Sequence, residues 1–503
     1  LDSHRGILHL TMLNIQTSLH VNLHTDQSVF LLLSQRYSVT NEFEDSNLER
    51  DHTPPKNRPT PTLQQILATD KVAPPQHMLE ESFVQMGNED VPIGRYFERE
   101  FHNREVEKVW RKTWQWACRL EDIPNVGDHI VYDIVHDSVL VVRTGPELED
   151  IRAYINACLH RGTLLRTEGG CVKQFQCPFH GFTWGLDGCL KKIPQAWDFE
   201  HVDPDDFHLP ELQVGIWGGF VFINFDENCE SLESYLENLP EHFESFALED
   251  RYKAIHVAKI MPCNWKLSAE AFVEAYHVAY AHPQTVAYYG DSNTQYDTWP
   301  GVRHVNRMIS AQGVKSPSAE HITEQMTREM MERDTPFFKG KSGQEYENPR
   351  QHFADVARQK ISKSAGRDMS ELSDSEAIDL IQYTVFPNFV PYGGMGLSAG
   401  YRFRPYKDDP EKSIMEIFFL FPKPEGKTPP KAPPIVWLTE DEPWSTVEEM
   451  GSAAMVVDQD TDNLKRIQRG LRTTRKPGST LANYQESRIR HFHQTLDLYM
   501  NAE

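Results

Sequence analysis

The chain has 503 residues, 39% of them hydrophobic, with 26 Phe, 18 Tyr and 10 Trp, enough apolar material for two or three domains with substantial cores. A formal net charge of −23 argues against a phosphate backbone as partner, and the longest apolar run, Ile414 to Pro422, is too short to span a membrane and contains Glu416. Neither nucleic acid nor membrane is therefore expected; with no basic leader and cleavage pattern, and seven cysteines, an odd number better suited to metal binding than to a disulfide scaffold, the chain reads as cytoplasmic.

Residues 1–92 read as a poorly structured extension, because Pro54, Pro55, Pro59, Pro61, Pro74 and Pro75 punctuate polar sequence. Met12 and Met78 are both candidate starts. Residues 93–230 form the next unit. A helix is expected from Arg95 to Trp116, followed by strands at Ile130–Tyr132, Ser138–Thr144 and Gly219–Phe225, which are β-branched or aromatic and bounded by turn residues. Residues 231–503 read as α+β. They hold a helix from Trp265 to Ala281, polar helical sequence near 317–380, and strands at Tyr383–Phe389, Leu397–Phe403 and Ile414–Phe421. A final helix runs through Leu464, Ile467 and Leu471.

Two loops of the second unit carry Cys158-Leu159-His160 and, after sixteen intervening residues, Cys177-Pro178-Phe179-His180. Two thiolates and two imidazoles suit one compact centre. In a Rieske [2Fe–2S] cluster two Cys bind one iron and two His the other, so each loop supplies one ligand to each iron. A structural Cys2His2 zinc site is the alternative, although such sites usually pair like with like within each half.

The flanks, Arg161-Gly162 after the first His and Pro178, Gly181, Phe182, Trp184 and Asp187-Gly188 around the second, closely resemble the Rieske oxygenase pattern C-x-H-R-G … C-P-x-H-G. Thr163 and Phe179 stand where respiratory Rieske proteins have an extra cysteine pair. Cys171 and Cys189 lie off pattern and read as small buried residues.

The stretch Asn264-Trp265-Lys266 … Glu270 … Glu274 … His277 … His282-Pro283 resembles the catalytic helix of Rieske oxygenases. The resemblance covers about residues 80–495. It implies that His277 and His282 bind a mononuclear Fe(II) together with a late aspartate just before the C-terminal helix, assigned by motif register to Asp460 rather than Asp458 or Asp462. Two His and a carboxylate leave positions open for O2 and substrate. Residues five apart on a regular helix point about 140° apart, so the helix must distort or end between the two His, and Pro283 favours an end at His282. Glu274 stands where the family commonly has the Asp that bridges the iron-ligand His to a Rieske His of the next subunit. Being one methylene longer, it changes that geometry. Phe272 is a candidate pocket wall, although a core aromatic is the commoner explanation.

The resemblance thus implies a small all-β Rieske domain joined to a helix-grip catalytic domain, α+β overall, in a terminal oxygenase that acts on O2 and an aromatic or other apolar small molecule. Electrons would come from a separate NAD(P)H-dependent reductase, with or without a ferredoxin; no Gly-rich nucleotide fingerprint is present in this chain. The assembly implied is a homotrimer, with or without a small β subunit. A Rieske electron carrier lacking oxygenase activity is the alternative, but it gives no reason for His277, His282 and Asp460.

Overall fold

The computed structural model describes residues 53–341, 346 and 348–502. Residues 115–224 carry a seven-stranded antiparallel sheet in the order Gln115–Arg119, Phe220–Asn224, Glu211–Trp217, Ile151–Ile155, Asp137–Arg143, Asp128–Ile134, Gly170–Cys171. The run from Val139 to Val142 is apolar at every position because both faces are covered. Val139 and Val141 join one core with Tyr132 and Ile134, whereas Leu140 and Val142 face the other way against Tyr154, Phe175 and Trp184. A three-stranded sheet, Phe175–Gln176, Thr183–Trp184 and Leu190–Lys192, lies on that second core.

An eight-stranded sheet organises the rest, in the order Gln295–Asp297, Val305–Ser310, Leu380–Val385, Phe389–Gly393, Ala399–Tyr406, Asp409–Pro422, Arg251–Met261, Val436–Leu438. All pairings are antiparallel except that of Arg251–Met261 with Val436–Leu438. Expected strands fall within it at Ala399–Tyr406 and Asp409–Pro422. The run Tyr383–Phe389 is instead two strands, Leu380–Val385 and Phe389–Gly393, because Pro387 has no N–H for a ladder and the chain turns there. The polar stretch resolves into helices Glu324–Asp334, Pro349–Ala365 and Asp374–Ile378, which share a satellite core around Phe353, Ala357 and Ile378.

The helix expected over Arg95–Trp116 is shorter: Arg99–Glu105 continues as a π turn, Val106–Trp110, and Trp116 belongs to the strand Gln115–Arg119. The last helix is Ser487–Asn501, beyond the one at Ala453–Leu471. Every residue of its first two turns, Ser487 to His493, is buried, Arg488, Arg490, His491 and His493 among them, which hides any apolar period. Arg488 is satisfied there by Asn306, Gln382, Thr384 and the Val273 carbonyl.

The reading of 1–92 as poorly structured fails over residues 53–92; residues 1–52 lie outside the described residues. Thr62 caps the helix Leu63–Leu67 in a capping box with Gln65, and Leu63, Ile66 and Leu67 are buried in the core that also holds Tyr235 and Phe389. Asp70 pairs with the buried Arg350, and Ser82 bonds Asp297 on the edge strand of the large sheet. A five-residue helix is too short to show a period, and the surrounding prolines mask it.

The two sheets meet at Trp116, whose ring lies 4.7 Å from that of Phe418. Arg402 spans the joint, donating to the carbonyls of Trp116 (2.6 Å) and Ala117 (2.9 Å) while held by Glu416 (2.7 Å). Glu416 is fully buried and also takes bonds from Arg404 and His256.

Candidate metal centres and their cavity

The two Cys/His loops close in the same way. Gly162 N–H donates to the Cys158 carbonyl and Gly181 N–H to that of Cys177; Cys158 N–H reaches the Thr163 carbonyl and Cys177 N–H that of Phe182. Both glycines adopt positive φ (77° and 78°), which a side chain would strain. The loops bring the sulfurs of Cys158 and Cys177 into mutual contact and the rings of His160 and His180 to 4.7 Å. Burial pushes the Cys177 thiol up, but the backbone N–H groups of Phe179 and His180 outweigh it and hold the thiol below its ordinary value. His160 stacks on Phe182 (4.7 Å, 9°), and its Nδ1 is buried without a partner. An orphaned imidazole nitrogen beside paired thiols suits a cluster with sulfur on one metal and imidazole on the other. Cys171 and Cys189, expected to be buried, are exposed.

The helix expected over Trp265–Ala281 is interrupted. It runs Trp265–Glu270, passes through turns, and resumes as Val278–Ala281, with His277 at its N-cap and His282 at its C-cap (φ −127°, ψ 53°). The break answers the 140° problem. The Nε2 atoms of His282 and His277 lie 2.9 Å and 3.6 Å from Asp460 Oδ1. Among the described residues, these three side chains form a group whose ligand atoms all lie within 4.8 Å of one another. Asp460 is buried in the middle of the helix Ala453–Leu471, not ahead of it. Asp458 points elsewhere and accepts from the N–H groups of Trp444 and Ser445, and Asp462 is exposed.

Each histidine has a partner on its other nitrogen. Glu274 Oε1 lies 2.5 Å from His277 Nδ1, and Glu274 Oε2 accepts from the N–H groups of Tyr276 and His277. Burial lowers the affinity of His277 for a proton, but Glu274 and Asp460 outweigh it and hold the imidazolium above its usual range. His282 Nδ1 lies 2.7 Å from Gln459 Oε1, which Gln284 also bonds. Sequence reasoning missed Gln459 and Gln284, since a single amide beside an aspartate carries no motif.

These residues floor a cavity of about 370 Å³ walled by Phe272, Tyr288, Tyr289, Phe338, Tyr392 and Tyr401. Phe272 is both wall and core, packed 5.3 Å from Tyr401. Tyr392 and Tyr401 stand on neighbouring strands of the large sheet, and Tyr288 and Tyr289 reach them from the loop past His282, so no shared sequence signal marks the set. Among the described residues no Lys or Arg lines the cavity; its carboxylates are Glu274, Asp460 and Asp334, the last paired with Arg333 outside. Larger grooves of 780 and 750 Å³ lie elsewhere, but neither holds a His/carboxylate triad. Among the described residues no helix is long and apolar enough to cross a membrane.

Residues 237–502 match the model of the ring hydroxylating alpha subunit (catalytic domain), and residues 113–203 match the Rieske [2Fe-2S] domain. The carnitine monooxygenase oxygenase subunit of Escherichia coli (strain K12) is 30% identical over 214 residues, 42% of this chain and 57% of the relative. The chloroplastic choline monooxygenase of Spinacia oleracea is 29% identical over 254 residues, 45% of this chain and 57% of the relative. The chain thus spans about half the length of the curated relatives it matches. Similar folds are found in a quaternary ammonium Rieske monooxygenase solved with L-carnitine and in the naphthalene 1,2-dioxygenase of Rhodococcus sp. bound to indole. The first has TM-score 0.57 and 18% identity over 82% of this chain and 96% of that one; the second has TM-score 0.54 and 21% identity over 82% and 95%.

Proposed function

Because the chain belongs to the ring-hydroxylating alpha-subunit family and carries a Rieske [2Fe–2S] domain, we propose that it is the terminal oxygenase component of an electron-fed O2-activating system. The observation that carries this is the convergence of His277, His282 and Asp460 on the floor of an aromatic cavity, in a chain that also pairs Cys158 with Cys177 and His160 with His180. Cys158, His160, Cys177 and His180 would hold the cluster, and His277, His282 and Asp460 the mononuclear iron. When bound, the two groups supply electron storage and O2 activation. The chain's own residues do the rest. Glu274 and Gln459 orient the imidazoles, the aromatic walls exclude bulk water and hold substrate, and the open side of the triad faces the cavity.

The expected substrate is an aromatic or other apolar small molecule. A quaternary ammonium substrate is a second reading, favoured by the cavity itself. Six aromatic rings offer negative faces to a cation, and among the described residues the lining holds no Lys or Arg to repel one.

The oxygenase draws on a separate NAD(P)H-dependent reductase, with or without a ferredoxin, and works in the cytoplasm, a reading supported by seven free cysteines. Assembly as a homotrimer, with or without a small β subunit, is supported by exposed aromatic side chains next to both ligand sets in the chain. Phe179 precedes His180, and Tyr276 and Tyr280 lie on either side of His277 in sequence, all of them exposed. Pairing one region with the other is head-to-tail and forms a ring when the rotation closes. In such a ring the exposed His180 would approach Glu274 of the next subunit, whose Oε2 already takes two backbone N–H groups, so the bridge would fall on Oε1 or a shared oxygen.

The test is metal analysis with EPR of the dithionite-reduced protein, then O2 uptake with a reductase and either an aromatic or a choline-like substrate. A Rieske signal with average g below 2, a second iron and substrate-dependent hydroxylation are expected. A colourless protein holding one zinc would refute the reading.

A further inference from the structure

We propose that Gln459, braced by Gln284, is the positioning residue that turns His282 toward the metal; this rests on the reading of His277, His282 and Asp460 as ligands of one ion. Gln459 Oε1 lies 2.7 Å from His282 Nδ1 and 2.9 Å from Gln284 Nε2. An amide oxygen only accepts, and its two lone pairs are both used here. His282 therefore carries its proton on Nδ1 and offers the Nε2 lone pair on the opposite side, where Asp460 Oδ1 lies 2.9 Å away. Gln284 fixes the amide in the orientation that makes this tautomer the favoured one.

The placement follows from the helix Ala453–Leu471. Neighbouring residues on a helix point about 100° apart. Gln459 thus accepts from one ring nitrogen of His282 while Asp460 lies beside the other. Gln284 comes from the chain just past His282, so the clamp ties the end of the helix Val278–Ala281 to a segment 177 residues further on.

The clamp also differs in kind from the one on His277. There the acceptor is the Glu274 carboxylate at 2.5 Å; on His282 it is a neutral amide. A carboxylate draws the proton more strongly and makes the far nitrogen the better donor. The two imidazoles are therefore unequal. The charges of Glu274 and Asp460 already balance a dication, so a neutral acceptor on His282 suffices.

The experiment is a Co(II) titration of protein whose cluster is intact and oxidised, hence EPR-silent, so that the bound cobalt alone gives a signal. Gln459→Leu, which keeps the size and removes the acceptor, should weaken Co(II) binding by about 10–100-fold and alter its EPR spectrum. Gln459→Glu should restore binding, and Gln284→Leu should cost less than Gln459→Leu. The reduced-cluster signal should be unchanged in all three. Gln459→Leu binding Co(II) within about threefold of the parent with the same spectrum would overturn the proposal, as would a Glu variant that fails as badly as Leu. A parent protein that binds no Co(II) would instead remove the triad reading on which the proposal rests.

Discussion

Replacing Glu416 by Gln tests what holds the two sheets together. The carboxylate is fully buried and bonds Arg402 (3.0 and 2.7 Å), Arg404 (3.2 Å) and His256 (2.9 Å). Burial alone would push its pKa up, yet the arginines hold it well below the ordinary carboxylate value. Burial keeps His256 below its usual pKa, so Glu416 chiefly offsets two arginine charges. Removing one partner of a buried ion pair costs about 3–5 kcal/mol, because the other charge is left uncompensated. At roughly 2 °C per kcal/mol for a long chain, the thermal midpoint should fall by about 6–10 °C. Circular dichroism reads the global transition, and visible absorption of the cluster reads the β module separately. Because Arg402 also donates to Trp116 and Ala117 of that module, the two probes should move together. The sign with pH follows from the depressed pKa. The stabilisation is present above the unfolded carboxylate pKa and is lost as pH falls through the folded one, so the variant should show a weaker acid limb. A midpoint drop under about 2 °C would refute the reasoning, since less than one kcal/mol would then ride on the network.

Other changes separate the centres. Asp460→Ala should lose the mononuclear metal and substrate hydroxylation while keeping the reduced-cluster EPR signal; metal analysis checks this. Asp458→Ala should keep both metals and lose about 1–2 kcal/mol of stability, because it frees the N–H groups of Trp444 and Ser445. Cys177→Ser should abolish the Rieske signal and leave Co(II) binding at the triad intact. Glu274→Gln should leave both metals bound yet slow transfer from cluster to iron in rapid-mixing measurements; an unchanged rate would return Glu274 to a purely local role with His277.

The sequence was most legible where chemistry demands fixed residue types at fixed spacing. Cys158, His160, Cys177 and His180 stand out because few arrangements other than a metal centre use them, and the left-handed glycines that close both loops sit within the same motif. The pair His277 and His282 was legible together with the need for a helix break, since five residues of helix cannot aim two imidazoles at one point. Asp460 could be placed only by register, and the local expectation around it, a ligand ahead of a helix, was off because Ala453 starts the helix a full two turns earlier. The aromatic walls could not be read at all. Tyr392 and Tyr401 meet because their strands are neighbours, and Tyr289 joins them from a loop, so tertiary placement alone brings the three together. The helix Ser487–Asn501 escaped because its first two turns are buried all round and include Arg and His satisfied by distant partners, a pattern that reads as surface from composition alone.

The segment around Leu63–Leu67 bears on how the protein is prepared. Met78 would be a natural point at which to begin an expressed polypeptide, since family likeness starts close to it. A chain begun there would lack Leu63, Ile66 and Leu67, which fill sockets beside Tyr235 and Phe389. It would leave Arg350 without Asp70, and Glu81 without Arg58. The opened sockets form a sticky apolar surface of the kind that drives precipitation. Low recovery of such a fragment would reflect an unroofed core, with both metal centres and their loops left as they are in the longer chain.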